Sequence, residues 1–134
     1  MRAVPPSQFV LAWQTQIIAT REDVQQAAAR SSDVLLDARP PAFFQGETRH
    51  PAAVAPGTLV GAQNVSHDVW FAAGSAGGAR LQSTADARRI AAEQGIATDR
   101  PTVSFCNTGH WAATNWFVLS EVLGQKDVKL YPES

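Results

Sequence analysis

Short apolar runs recur along this chain, each set apart from the next by a helix signal, and that alternation narrows the fold more than any other feature. Val34-Leu35-Leu36 has no polar alternate, the pattern of a strand buried on both faces rather than of one with a wet side. Thr102-Val103-Ser104-Phe105 and Val128-Lys129-Leu130-Tyr131 are also of strand length, and Ala62-Gln63-Asn64-Val65 reads as a further short strand. Thr20 with Asp23 three residues later marks a helix start, residues 23–30 carry alanines and glutamines that favour helix, and Ser31-Ser32-Asp33 ends it. Ser83 with Asp86 marks another, running to about Gln94 with Gly95 as its stop and Arg88, Arg89 and Glu93 on its wet face. A third covers residues 112–120 and closes at Gly124. Strands alternating in this way with helices give an α/β domain with a mainly parallel sheet flanked by helices on both faces.

The remaining segments read as connections. Pro40-Pro41 can open a short helix through Gln45, stopped by Gly46, because proline is tolerated in a first turn. Residues 47–61 contain four residues of Pro or Gly and form a loop, residues 66–71 a turn of helix, and residues 74–78 a flexible crossing. Residues 1–19 read as a leader containing Pro5-Pro6 and an extended lead-in, with the domain proper over residues 20–134. A chain of 134 residues can close one core without metals or crosslinks.

Charge excludes several function classes. Eleven Lys and Arg against twelve Asp and Glu are scattered along the chain, so neither a nucleic-acid footprint nor a membrane-surface patch is indicated. The apolar stretch Phe9-Val10-Leu11-Ala12-Trp13 is broken at Gln14 and Gln16, too short to span a bilayer, and no signal peptide is recognisable. The expectation is a soluble chain, of the cytoplasm or periplasm. His50 and His67 have no His, Cys or carboxylate at ligand spacing, so no metal is expected.

In sheets of this kind ligands bind beyond the carboxyl ends of the strands. Two strands here end in reactive or polar groups, one in Asp37-Ala38-Arg39 and the other in Cys106, the chain's one cysteine. A thiol between a buried strand and a short loop that opens a helix faces convergent backbone N–H groups and the positive end of the helix dipole, surroundings that favour a thiolate. Arg39 could set a fixed positive charge beside it or hold an anionic substrate, and Asp37 could tie down Arg39 or the loop backbone. A single cysteine excludes an intrachain disulfide and any mechanism with a resolving thiol in the same chain. His110 has two readings, an acid/base or cation beside the sulfur, or a loop histidine satisfied by local hydrogen bonds. Trp111 is expected to line the pocket and Trp116 to be core.

In order and spacing these residues resemble the rhodanese superfamily, and within it the catalytic C-terminal-type domain of tandem thiosulfate and mercaptopyruvate sulfurtransferases. Residues 34–39 resemble a strand ending in Asp-x-Arg, Phe44-Gln45-Gly46 an aromatic-x-Gly segment, Gly61-Ala62-Gln63-Asn64 a Gly-Ala-x-Asn turn, and residues 106–111 a six-residue active-site loop. The resemblance implies a rhodanese-like single domain whose Cys106 takes sulfur from a small anionic donor such as thiosulfate. The resulting persulfide passes its sulfur to cyanide or a thiol, without a cofactor. It further implies Asp37, Arg39, Asn107, Thr108, Gly109, His110 and Trp111 as the substrate-binding set, and a second rhodanese-like domain in a longer parent chain. A sulfur carrier acting with a partner protein is the alternative.

Certain positions depart from the pattern. Relatives that favour thiosulfate carry basic residues in the loop, where this chain offers only His110, and mercaptopyruvate enzymes have a small Gly-Ser-Gly loop, to which Asn107-Thr108-Gly109 is nearer. Thr58 stands where many relatives have histidine. The family's Gly-, Ser- and Trp-rich segment after the last strand is replaced by Pro132-Glu133-Ser134, so a domain shortened at its C-terminus is expected. Related phosphatases place arginine after cysteine and five further residues. Ala112 occupies that position here, which leaves no guanidinium for a transferring phosphoryl group.

Overall fold

The structure, a computed structural model, describes residue 8 and residues 10–12, 14–74 and 77–133. Most of the expected leader, and residues 75 and 76 of the expected crossing, lie outside the described residues.

Four parallel strands form the central sheet in the order β2-β1-β5-β6, where β1 is Val34–Asp37, β2 Gln63–Asn64, β5 Thr102–Phe105 and β6 Val128–Tyr131. All four residues of β1 and of β5 are buried, as strands covered on both faces must be. Side-chain alternation then assigns the two faces. Leu35, Val103, Phe105 and Tyr131 pack against Val24 and Ala27 of α1 (Arg21–Ala29). Val34, Leu36 and Val128 pack on the opposite side against Ala87, Ile90 and Ala91 of α3 (Thr84–Glu93) and against Val118 and Leu119. Those last two sit in a wider π-type turn, Val118–Val122, that continues α4 (His110–Phe117) until Gly124 turns the chain at φ +71°. Helices thus cover both faces of a mainly parallel sheet.

Local chemistry sets the helix ends. Thr20 and Asp23 form a reciprocal capping box, the Thr20 hydroxyl accepting from the Asp23 N–H at 3.1 Å and the Asp23 carboxylate from the Thr20 N–H at 2.9 Å. Ser83 caps α3 through the Asp86 N–H at 3.2 Å. The short α2 (Pro41–Phe44) begins with proline in its first turn. The expected helical turn over residues 66–71 is a 3-10 turn, His67–Trp70.

Three sequence expectations change. On either side of the expected crossing lie two strands missed in the sequence, β3 (Phe71–Ala73) and β4 (Ala79–Leu81), paired antiparallel. Each strand is three residues long and mostly exposed, so neither carries a readable alternation. The lead-in is not extended throughout, since Thr15–Ile17 is a 3-10 turn, after which Ile18 bridges Leu130 and the Ala19 N–H donates to the Leu130 carbonyl at 2.8 Å. Finally, α4 starts at His110 rather than residue 112, so His110 and Trp111 belong to its first turn.

Trp70 is fully buried, and its indole N–H donates to Asn115 Oδ1 at 2.7 Å while Asn115 Nδ2 donates to the Val65 carbonyl at 2.9 Å. A buried amide with its donor and acceptor both engaged fixes one arrangement of α4 against the chain after β2.

Candidate active site

Register brings the two reactive strand ends together. Asp37 pairs with Phe105 across β1 and β5, and the Ala38 N–H donates to the Phe105 carbonyl at 3.0 Å, so Arg39 and Cys106 emerge on one edge of the sheet.

At the end of β1 the charges satisfy each other. Asp37 Oδ1 accepts from the Arg39 N–H at 3.0 Å and from Nε at 2.8 Å, while Oδ2 accepts from Nη2 at 2.6 Å and from the Thr58 hydroxyl at 2.7 Å. The Asp37 side chain is fully buried and that of Arg39 is 7% exposed, so the pair is held out of water, where it stays tolerable only with its hydrogen bonds filled. The guanidinium's other reach is structural, with Nη2 donating to the Gly57 carbonyl at 2.7 Å and Nη1 toward Asn107 Oδ1 at 3.5 Å. Asn64 secures the backbone beneath, its amide donating to the carbonyls of Asp37 at 3.0 Å and Arg39 at 2.8 Å. Arg39 therefore joins three segments that are distant in sequence.

At the end of β5 the arrangement is open. Cys106 is 3% exposed and packs with Ala38 and Ala112, and the Thr108 N–H points at its Sγ from 3.5 Å. Gly109, the residue before α4, has φ +79°, and a Cβ there would stand 3.2 Å from Pro132 Cα. Both the left-handed backbone and the close approach call for glycine, so this one residue turns the loop under the chain that follows β6.

The remaining expected site residues take different positions. His110 is exposed, with Nδ1 at 3.1 Å from the Thr108 hydroxyl. Trp111 is half-buried against the Cys106 cluster, stacked on His67 at 4.8 Å between centroids and met edge-on by Phe43 at 6.1 Å. His67 is anchored in turn, its Nδ1 at 3.3 Å from the Ala38 carbonyl. Trp116 is partly buried against the core, its indole N–H donating to the Val128 carbonyl at 3.1 Å.

A cavity of about 330 Å³ opens over Cys106. Of the residues singled out in the sequence it touches Cys106, Asn107 and Arg39. The structure keeps Asp37, Thr108, Gly109, His110 and Trp111 out of its wall. The rest of the wall was missed in the sequence, namely the loop over residues 52–59, Phe105, Tyr131 and Glu133. One signal was available, since Ala52-Ala53-Val54-Ala55-Pro56 is unusually apolar for a loop. A larger hollow of about 600 Å³ lies by α1 and β6 among Asp23, Gln125 and Lys129, and Cys106 does not line it. The site sets a thiol, with a backbone N–H directed at its sulfur, beside room for a small molecule, the parts needed for covalent transfer.

A family model described as a rhodanese-like domain matches residues 20–134. The chain is 34% identical over 123 residues to the "Putative thiosulfate sulfurtransferase" of Haloferax volcanii, covering 88% of this chain and 41% of that protein. It is 28% identical to the "Sulfur carrier protein TtuD" of Thermus thermophilus, covering 97% of this chain and 48% of that protein. Among solved structures it superimposes on SseA of Escherichia coli, described as a 3-mercaptopyruvate sulfotransferase, with a TM-score of 0.76 and 24% identity over 98% of this chain and 47% of the other. The chain thus spans under half the length of each of these three proteins. Among the described residues, no helix is long and apolar enough to cross a membrane.

Proposed function

The chain belongs to the rhodanese-like domain family, and on that premise we propose that it is a sulfurtransferase working through a persulfide on Cys106. The observation that carries this reading is Cys106 in the lining of a 330 Å³ cavity, its sulfur met by the Thr108 N–H at 3.5 Å in the short loop that leads into α4 at His110. The Cys106 thiolate attacks the outer sulfur of a donor such as thiosulfate. The donor's S–S bond breaks, sulfite leaves with the bonding pair, and a persulfide anion remains on Cys106. An acceptor nucleophile, cyanide or a thiol, then attacks the terminal sulfur and regenerates the thiolate. One cysteine suffices for this double displacement.

The protein's part is to hold the negative sulfur. The Thr108 N–H, directed at the sulfur from 3.5 Å, stabilises the anion without reorganising, and the first-turn N–H groups of α4, which have no helical acceptors, place the positive end of that helix beside the loop. Asp37 and Arg39 act as positioning residues, fixing Asn107 and the Gly57 segment around the thiol. Turnover is read as sulfite release with thiosulfate and thiocyanate formation with cyanide. Both should be lost in Cys106→Ser, and equal rates in that variant would refute the assignment.

The relative named as a sulfur carrier favours a second reading, in which the loaded persulfide waits for a partner protein or a second domain of a longer chain. A persulfide that survives excess cyanide yet discharges to a protein thiol would select it.

A further inference from the structure

The cavity over Cys106 has a chemistry of its own. One wall is the apolar loop of Ala53, Val54, Ala55, Pro56 and Leu59, and Phe105 and Tyr131 also line the cavity. Among the described lining residues only Arg39 and Glu133 carry charge. The Arg39 charge is cancelled inside the protein, because Asp37 binds it at 2.6 Å and 2.8 Å and the Gly57 carbonyl takes another of its protons at 2.7 Å. Glu133 is exposed and shares no salt bridge with a described residue. His110 is not in this wall. Among the described lining residues the uncompensated charge is therefore negative.

Resting on the sulfur-transfer reading above, we propose that this cavity selects an organic sulfane-sulfur donor with an apolar body and at most one negative charge, and that Glu133 is the specificity residue that disfavours dianions such as thiosulfate. A dianion meets twice the repulsion that a monoanion meets at the same distance, and it gains nothing from the apolar wall. Benzenethiosulfonate is a suitable probe. Its terminal sulfur is attacked by the Cys106 thiolate, the sulfur–sulfur bond breaks, and benzenesulfinate leaves with the electron pair. One negative charge stays on the persulfide and one leaves on the sulfinate, whereas with thiosulfate the departing sulfite carries two.

The test compares kcat/KM for the two donors in the wild-type chain, in Glu133→Gln and in Leu59→Ser. Benzenethiosulfonate is expected to lead by about tenfold at low ionic strength. Glu133→Gln should raise the thiosulfate value by about fivefold and the benzenethiosulfonate value by about twofold, narrowing the ratio. Added salt should do the same by screening the carboxylate, whereas a cationic pocket would lose thiosulfate activity with salt. Leu59→Ser should lower the benzenethiosulfonate value by about fivefold and the thiosulfate value by less. A wild-type preference for thiosulfate, or a ratio that neither Glu133→Gln nor salt moves, overturns the proposal. A chain that takes sulfur from neither donor overturns instead the sulfur-transfer reading beneath it.

Discussion

The carboxyl ends of β1 and β5 lie side by side, yet they treat their functional groups in opposite ways. At β1 every charge is answered from within, as Asp37 takes bonds from the Arg39 N–H, Nε and Nη2 and from Thr58 while Arg39 reaches on to Gly57. At β5 the sulfur of Cys106 receives one long contact from the Thr108 N–H at 3.5 Å, and Cys106, packed with Ala38 and Ala112, lines a cavity. A group whose valences are filled inside the protein serves stability and placement, whereas a nucleophile with open space before it is available for chemistry. Two neighbouring polar strand ends thus divide the work, one as frame and one as reagent.

Substitutions at the two ends should separate these roles. Cys106→Ala is expected to lower sulfur-transfer activity by at least about a thousandfold while costing about 1 kcal/mol of stability in denaturant unfolding. Asp37→Ala should reverse the pattern in its first effect, costing about 3–5 kcal/mol because it strands a buried guanidinium, and a loss below about 1 kcal/mol would show that water already shares the pair. Gly109→Ala lies between, since it needs a left-handed backbone for an L residue and brings a Cβ to 3.2 Å from Pro132 Cα. It should cost about 1–2 kcal/mol and lower activity by displacing the loop, and wild-type stability with wild-type turnover would detach Gly109 from the frame.

The smallest effect belongs far from either end. The Asp23 carboxyl is held below its ordinary value of 3.8, first by the Thr20 backbone N–H and then by the hydrogen bond from Lys129. A folded-state value below the unfolded one gives stability that is complete above about pH 4 and is lost as pH falls through the lower folded value. The stability gap between wild type and Asp23→Asn should therefore be flat near neutrality and close in strong acid. A gap that widens on acidification would contradict that linkage.

The frame and the reagent were not equally legible in the sequence. Val34-Leu35-Leu36 and residues 102–105 announced buried strands because two-sided burial leaves a continuous apolar run, and the cap pairs Thr20/Asp23 and Ser83/Asp86 are local in sequence. Cys106 was visible for the same reason, as a chemical group placed directly after one of those strands. Asp37 was legible as a tie for Arg39, two residues away, but the further partners of Arg39 were not, since Gly57 is 18 and Asn107 is 68 residues away. The apolar wall over residues 52–59 becomes a wall only when Arg39 pulls in Gly57, and the place of Glu133 depends on how the chain leaves β6. Contacts that depend on the closed fold leave little trace in local pattern.

The division between frame and reagent is tested most directly by intact-protein mass after incubation with thiosulfate and with benzenethiosulfonate, followed by removal of the donor. The account predicts that the wild-type chain gains one sulfur atom, that cyanide or a thiol removes it, and that a folded Cys106→Ala protein gains none. An added sulfur that persists in Cys106→Ala, or a wild-type chain that gains none from either donor, would contradict it.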